Sequence, residues 1–235
     1  MIVYHYDRQG VLQEGQVLCC SNDFATITKW APESEAILKK LFPNGLSCQG
    51  FNYLDFDEQI PQFIEQQQFI KNGQIFVEPK VLWCEIVSNV NATSSFIIEQ
   101  NCELVRRADF QDMPSRFQSL FCFENPADLN VWPELITPRG KLFEIEIQGK
   151  HVKLDANQLK GGVTVRDFAI FYSVALNYSC AYSYWQGKTS ERPRYEYVVE
   201  LPVVVGREIE PQQLFNDTHK EQERVSGNMH RRAKI

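Results

Sequence analysis

No apolar run in the sequence approaches the roughly 18 residues that a membrane-spanning helix requires. The first ten residues, MIVYHYDRQG, also lack the basic start and the apolar stretch of a secretion signal, because His5, Asp7 and Arg8 interrupt them. From these absences we expect a cytoplasmic protein with no membrane partner.

A metal or disulfide framework is also missing. The seven cysteines are scattered without a Cys-x-x-Cys pair, whereas zinc sites need ligands clustered at short spacings. We therefore expect no metal site, and we expect most cysteines to be reduced and buried as small apolar side chains. They are Cys19, Cys20, Cys48, Cys84, Cys102, Cys122 and Cys180.

Common nucleotide-binding and hydrolase motifs do not occur either. The absence of Gly-x-Gly-x-x-Gly argues against a dinucleotide-binding Rossmann domain, and Walker A, Gly-x-Ser-x-Gly and His-Glu-x-x-His patterns are absent too. A net charge of −6 gives no global basic field that would attract nucleic acid, which leaves only local basic patches.

The chain does contain enough apolar material for one sizeable domain, since 43% of its 235 residues are hydrophobic. Local patterns predict strands at 2–6, 119–123, 141–149 and 193–209, and helices at 33–41, 61–73, 124–132 and 167–185. Residues 75–87 and 94–106 are rich in β-formers. Residues 219–235 form a polar tail that we expect to be frayed or ordered by a partner.

One acid in the segment 193–209, PRYEYVVELPVVVGREI, has a chemical context that needs explanation. Glu196 stands between two tyrosines at the start of a strand, where an apolar residue would carry no desolvation cost. It could be a solvent-exposed acid or a partner of Arg194. It could instead be retained for catalysis, in which case Glu200, four residues on along the same strand face, is the competing candidate.

Three motifs in chain order resemble the ADP-ribosyltransferase fold, in the branch shared by diphtheria toxin, the poly(ADP-ribose) polymerases and the rifampicin ADP-ribosyltransferases. YHYD at 4–7 is similar to the first strand with its Tyr-His pair, and SLFCFENPADLNVW at 119–132 to the middle strand–helix unit. YEYVVEL at 195–201 is similar to the late strand that carries the essential Glu. The resemblance covers about 2–18 and 115–206, which leaves an unmatched insertion at about 20–113.

The sequence departs from that branch at one position of the middle strand, where Phe121 replaces the usual Tyr. Arg116 and Ser119 are similar to the Arg and Ser of the other branch, but the first-strand Arg of that branch is missing, because Arg8 lies in the following turn. The chain therefore looks like a divergent or hybrid member.

The resemblance implies an α+β fold, a single domain over residues 1–235 with a split β-sheet core and peripheral helices. It implies NAD as substrate, no metal, Glu196 as the catalytic acid, and NAD-binding roles for His5, Tyr6, Arg116, Ser119 and Phe121. Loss of nicotinamide creates an oxocarbenium-like cation on the ribose, which a fixed carboxylate stabilises more than it stabilises the ground state. His5 would bind a ribose hydroxyl, an aromatic ring such as Tyr6, Phe121 or Tyr197 would stack on nicotinamide, and Arg116 would meet the pyrophosphate.

The function implied by this resemblance is NAD-dependent ADP-ribosyl transfer to a macromolecular acceptor, with RNA or DNA slightly favoured over protein. Small free-standing members are often toxins, so an antitoxin or immunity protein is an expected partner. Phosphate contacts would come from Arg106, Arg107, Arg192, Arg194 and the basic residues near the C-terminus, and a base could stack on Tyr182, Tyr184 or Trp185. Two alternatives stay open, an NAD glycohydrolase and a non-catalytic binding module of the same fold.

Overall fold

The computed structural model describes residues 1–29, 31–54, 69–71, 74–76, 79–161, 164–166, 169–171 and 173–209. Its helices are α1 (Ser34–Leu41), α2 (Cys48–Asn52), α3 (Pro79–Asp109) and α4 (Val174–Trp185), with 3-10 turns at Arg116–Gln118, Pro126–Val131, Pro133–Leu135 and Ala156–Gln158. Its strands are β1 (Ile2–Asp7), β2 (Val17–Leu18), β3 (Phe69–Lys71), β4 (Gln74–Phe76), β5 (Ser119–Cys122), β6 (Lys141–Glu146), β7 (His151–Asp155), β8 (Thr164–Arg166), β9 (Ala169–Phe171), β10 (Tyr195–Glu200) and β11 (Val203–Ile209).

The architecture is α+β, as the sequence predicts, with all strand pairs of the described residues antiparallel. A first central sheet has the order β1-β6-β11-β2, and a second has the order β5-β10-β7. Two further hairpins pair β3 with β4 and β8 with β9. None of the helices in this part of the chain is both long and apolar enough to cross a membrane.

The two central sheets share one apolar core. The first sheet contributes Val3, Phe143, Ile145 and Val205, and the second contributes Leu120, Cys122, Tyr197 and Val199. Side chains alternate across a strand, so Glu196 and Val198 of β10 project from the opposite face of the second sheet. Helices α3 and α4 cover that face, where Cys102, Ala181, Tyr184 and Trp185 pack with Leu154 and Val198. The order of layers is therefore sheet, sheet, helices.

A backbone bridge joins the edges of the two sheets. Tyr4 of β1 and Phe123, just after β5, exchange backbone hydrogen bonds of 2.9 and 2.6 Å. Beyond this bridge β1 continues against β6, whereas β5 continues against β10. A cleft opens between β1 and β5 as a result, and its position is set by the last residues of β1.

Residues 20–54 pack beside the start of β5. Phe24, Phe42 and Leu46 form an apolar cluster with Phe117, which lies in the 3-10 turn before that strand. Ser21 and Leu46 exchange backbone hydrogen bonds of 2.8 and 2.9 Å, which fixes the two arms of this segment against each other. The segment thereby forms one wall of the cleft.

The β-rich interpretation is wrong for residues 79–87 and 94–106, because these residues lie within the continuous helix α3. Their Ile, Val and Phe favour strands locally, yet no Gly or Pro interrupts residues 80–113. Packing of Cys102 and Val105 in the layer shared with α4 stabilises the helical state instead. The signal that indicated the helix was Pro79 at its first position, followed by this uninterrupted run.

Three predicted helices have different bounds in the structure. The helix predicted at 61–73 lies mostly outside the described residues, and its residues 69–71 belong to β3. The helix predicted at 167–185 begins at Val174, since Ala169–Phe171 forms β9. The segment 124–132 forms a 3-10 helix over Pro126–Val131, and the Asn125 cap predicted there is present as a capping box with Asp128.

Candidate functional site

The cleft between β1 and β5 holds a cavity of about 540 Å³. Strand β1 lines it with His5, Tyr6 and Asp7, and β5 lines it with Ser119 and Leu120. The other walls come from residues 8–12, the end of β2, the start of α2, Thr137 and Leu201. A cavity of this size, with apolar walls and a few convergent polar groups, suits a small-molecule ligand.

His5 is the lining residue whose protonation state the structure defines best. Its Nδ1 lies 2.8 Å from the carbonyl oxygen of Phe121, and a carbonyl can only accept, so Nδ1 carries the hydrogen and donates. Burial lowers the pKa of His5 and outweighs the opposing effects of the Phe121 carbonyl and the Asp7 carboxylate. The ring is therefore neutral near pH 7, with Nε2 as a hydrogen-bond acceptor.

Asp7 organises the turn that follows β1. Its carboxylate accepts the backbone N–H groups of Gln9 at 3.0 Å and Leu12 at 2.7 Å. Burial raises the pKa of this carboxyl, but the backbone donors of Leu12 and Gln9 overcome burial and hold the pKa below its ordinary value. Asp7 is thus an ionised residue that shapes the cavity wall at 8–12.

Tyr6 and Ser119 line the cavity while their hydroxyl groups bond to the protein itself. The Tyr6 hydroxyl donates to the carbonyl of Thr137 and accepts its N–H, both at 3.1 Å. A Cβ at Gly140 would lie 2.0 Å from this hydroxyl, so only glycine fits there. The Ser119 hydroxyl donates to the carbonyl of Ser115 at 2.7 Å. Both residues contribute shape to the cavity.

Behind the second sheet, Arg116, Glu99 and Glu196 form a buried ion-pair network. Arg116 is 3% exposed, and the two acids are each 6% exposed. Nε and Nη2 of Arg116 donate to the two carboxylate oxygens of Glu99 at 2.7 and 2.8 Å. Nη1 donates to Oε1 of Glu196 at 2.5 Å. A single guanidinium therefore serves two buried carboxylates.

Aromatic residues surround the guanidinium. The hydroxyl of Tyr184 in α4 accepts from Arg116 Nη1 at 2.5 Å and donates to Oε1 of Glu196 at 2.8 Å. The ring of Phe121 lies under the guanidinium, with its centroid 4.3 Å from the central carbon. Burial raises the pKa of Tyr184 well above its ordinary value, so its hydroxyl remains a neutral donor. The network is thus a buried site with fixed charges and a fixed direction for each donor.

The two acids beside Arg116 raise its pKa. Burial by itself disfavours the charged guanidinium, but Glu196 and Glu99 raise its pKa well above the ordinary value. Tyr53, which lies after α2, is close to this network, and burial and the nearby Glu99 carboxylate raise its pKa. Near neutral pH Arg116 therefore stays charged, and Tyr53 and Tyr184 stay neutral.

The structure divides the six predicted site residues into two groups. His5, Tyr6 and Ser119 line the cavity between the sheets. Arg116, Phe121 and Glu196 lie together on the other face of the second sheet. Glu196 is neither a solvent-exposed acid nor a partner of Arg194, whose guanidinium bonds to Glu134.

Sequence reasoning missed two members of the network, Glu99 and Tyr184. Glu99 was hidden because residues 94–106 were interpreted as β-rich, although an acid within the apolar run FIIEQNCELV is a signal of a buried partner. The sequence predicts that Tyr184 and Trp185 could stack a base, but both side chains lie in the protein interior, 0% and 1% exposed.

The cysteines differ from the expectation that most are buried. Cys102 and Cys122 are buried, Cys20 and Cys180 are half-buried, and Cys19 and Cys48 are exposed. The side chain of Cys84 lies outside the described residues. All six described cysteines are free. Within the same part of the chain, no three His, Cys, Asp or Glu side chains are grouped as metal ligands.

Three of the arginines expected to contact nucleic acid pair with acids of the protein. Arg106 and Arg107 both bond to Glu103, at distances of 2.8 to 2.9 Å. Arg194 bonds to Glu134 and stacks on Trp132, with 3.8 Å between its central carbon and the ring centroid. The basic tail lies outside the described residues.

Taken together, these features define an α+β protein with a ligand-sized cleft between two antiparallel sheets and a buried acid–arginine network behind one of them. The chain belongs to the family described as "Protein of unknown function (DUF2441)", whose model matches residues 3–211. The match runs through residues 20–113 as well as through both central sheets. No curated protein matches the chain.

Proposed function

We propose that this protein is an NAD-dependent ADP-ribosyltransferase whose NAD site is the cleft cavity between β1 and β5. The observation that supports this most is the position of His5, a neutral histidine on the first strand, in a cavity at the point where two antiparallel sheets diverge. A split sheet with a donor-binding histidine on its first strand is what the resemblance of the three motifs implies.

In this proposal His5 Nε2 accepts a hydrogen bond from a ribose hydroxyl, since Nδ1 is already committed to Phe121. Gln9 and Asn52, which border the cavity, add polar groups, and Leu12, Leu18 and Leu120 provide apolar walls for the nicotinamide or adenine ring. The ionised Asp7 holds the turn that closes the cavity. These residues bind and orient the donor.

Glu196 supplies the negative charge that stabilises the oxocarbenium-like ribose. The bonds from Arg116 and Tyr184 both go to Oε1, so Oε2 is the oxygen assigned to the substrate. Glu196 is one strand away from the cavity wall, because β10 pairs directly with β5. In this proposal the donor site extends from the cavity across the end of β5 to reach that oxygen.

One observation favours a second candidate, a non-catalytic module that binds NAD without turnover. Glu196 is not among the residues that line the cavity, and its carboxylate is engaged by an arginine and a tyrosine. A glycohydrolase would share the donor site with the transferase and use water as the acceptor.

A titration of NAD into purified protein, followed by calorimetry, tests the proposed donor site. We expect binding by the wild type and a loss of at least about tenfold in affinity for His5→Ala, the equivalent of about 1.4 kcal/mol for a lost hydrogen bond in a partly dry site. His151→Ala is the matched control, because His151 is exposed on β7 and lies outside the cavity. Equal NAD affinities for wild type, His5→Ala and His151→Ala would show that the cavity is not the NAD site.

The acceptor is tested with labelled NAD and a whole-cell extract, treated afterwards with nuclease or with protease. Label that resists protease and is lost with nuclease identifies RNA or DNA as the acceptor. Label that resists nuclease and is lost with protease identifies protein. The engagement of Arg106, Arg107 and Arg194 by acids weakens the case for phosphate contacts at those positions. Single charge-removing variants of Arg107 and Arg194, whose side chains are partly exposed, should therefore leave labelling within about twofold of wild type.

A further inference from the structure

We infer that Glu99 in α3 is a positioning residue for the catalytic acid Glu196, and that it acts through Arg116. The inference rests on the proposed function, because it assigns a catalytic consequence to the geometry of Glu196. It gives the stretch 20–113, which supplies Glu99, an indirect part in the chemistry.

The bond between Glu99 and Arg116 fixes the orientation of the guanidinium. Glu99 accepts two parallel bonds, from Nε and Nη2 of Arg116, at 2.7 and 2.8 Å. A guanidinium is planar and rigid, so a bidentate partner on one edge fixes the direction of the nitrogen on the other side. That nitrogen, Nη1, is the one that donates to Glu196. The orientation of Glu196 therefore depends on Glu99.

Phe121 and Tyr184 further restrict the positions of Arg116 and Glu196. Phe121 lies against one face of the guanidinium, and Tyr184 closes a triangle of hydrogen bonds with Nη1 and Oε1 of Glu196. In this triangle Oε1 has two donors at fixed positions, which restricts rotation of the carboxylate. A side chain locked in this way holds its remaining oxygen in one direction, which is what transition-state stabilisation requires.

The same helix provides a control. Glu103 lies one helical turn after Glu99, is 5% exposed, and also binds arginine side chains in a bidentate manner. Its partners are Arg106, Arg107 and the hydroxyl of Ser115, none of which bonds to Glu196 in the described part of the chain. Changes at Glu103 therefore disturb a buried ion pair of the same helix without touching the catalytic acid.

The test compares Glu99→Gln with Glu103→Gln in nicotinamide release from NAD and in urea unfolding. A glutamine at 99 offers one acceptor and turns an N–H group toward the guanidinium, so the bidentate pair is lost. We expect kcat to fall roughly 10- to 100-fold in Glu99→Gln with KM within about twofold. Glu103→Gln should be destabilised comparably and keep its kcat. If Glu99→Gln does not fold, Glu99→Asp against Glu103→Asp gives the same comparison.

A kcat for the Glu99 variants equal to that of the matched Glu103 variants would overturn the inference, and so would a rise in KM alone. Either result leaves the proposed function intact, because the wild type still releases nicotinamide. A wild type that releases none is a different outcome, and it overturns the proposed function and this inference together. Tyr184→Phe supplies a further check, since removal of one donor to Oε1 should also lower kcat without raising KM.

Discussion

Oε1 of Glu196 lies 2.5 Å from Nη1 of Arg116, while the rest of the same guanidinium bonds to Glu99 at 2.7 and 2.8 Å. One buried guanidinium is therefore shared by two buried acidic side chains. The three residues therefore contribute differently to stability. Loss of the arginine leaves two buried carboxylates without a partner, whereas loss of either acid leaves one arginine–carboxylate pair.

The first prediction is an order of stability among variants of this network. Arg116→Met should lower the free energy of unfolding by about 3–5 kcal/mol, the usual cost of stranding a buried charge. Glu196→Gln should cost only about 1–2 kcal/mol, since Arg116 keeps Glu99 as its counter-ion. Urea unfolding measures both values. A Glu196→Gln variant as unstable as Arg116→Met would contradict the shared-cation arrangement.

The second prediction concerns pH. Burial lowers the pKa of His5 below its ordinary 6.5, so between the folded value and 6.5 the unfolded chain binds a proton that the folded chain does not. The free energy of unfolding therefore falls as the pH drops below about 6.5. Asp7, Glu103 and Asp155 have lowered pKa values, and their contribution is lost only at more acidic pH.

Urea unfolding at a series of pH values between about 7 and 5 reports the contribution of His5, because Asp7, Glu103 and Asp155, whose pKa values are lowered, stay ionised there. His5→Gln should remove most of the slope in this window. The exposed His151 serves as a control, and His151→Gln should keep the slope of the wild type. The same slope in wild type and His5→Gln would mean that another group is responsible.

The third prediction concerns the wall of the cavity. A Cβ at Gly50 in α2 would lie 2.1 Å from the carbonyl oxygen of Phe117, a backbone atom that cannot rotate away. Gly50→Ala should therefore displace α2, cost about 1–3 kcal/mol of stability, and weaken binding of NAD. Gly149→Ala is a suitable control, because its Cβ would meet Glu200 at an ordinary 3.6 Å. Equal stability of the two variants would show that α2 is not held against Phe117.

The fourth prediction uses cysteine alkylation. Cys19 and Cys48 are exposed and line the cavity, so iodoacetamide should modify both rapidly at about pH 8. Cys20 should react slowly, because the pKa of its thiol is raised to about 11. Burial is the largest cause, and the nearby Cys19 and Glu200 add to it. Bound NAD should protect Cys19 and Cys48 from modification.

Peptide mass spectrometry follows each thiol separately, and Cys180 is the internal reference because it lies outside the cavity. Protection of Cys180 to the same degree as Cys48 would indicate a general tightening of the protein. An absence of protection at Cys19 and Cys48 at saturating NAD would place the ligand elsewhere.

The strands of the core could be predicted from sequence because their patterns are local. Residues 141–146 alternate with period two, and 195–200 and 203–209 are rich in β-branched residues. The helix α3 is indicated less directly, since its Ile, Val and Phe residues favour strands and the signals for a helix are Pro79 at its start and the absence of Gly and Pro over residues 80–113. Packing of Cys102 and Val105 in the layer shared with α4 stabilises the helical state.

The candidate site shows the same limit. His5 was found from a motif, because the first strand has a recognisable pattern and leads directly into the cleft. The environment of Glu196 depends on Glu99, 97 positions earlier in the chain, and on Tyr184 from another helix. No local pattern encodes contacts of that range, so burial of Glu196 behind the second sheet followed only from the three-dimensional arrangement.

The most direct test of the central claim is release of free nicotinamide when the purified protein is incubated with NAD. The account predicts release by the wild type, a decrease on the order of 10² to 10³ in rate for Glu196→Gln, and near-normal release for Glu200→Gln. The folded fraction of each variant, measured by urea unfolding, separates a catalytic effect from a loss of structure. A wild type that binds NAD but releases no nicotinamide, or a Glu196→Gln variant with full activity beside an inactive Glu200→Gln, would contradict the account.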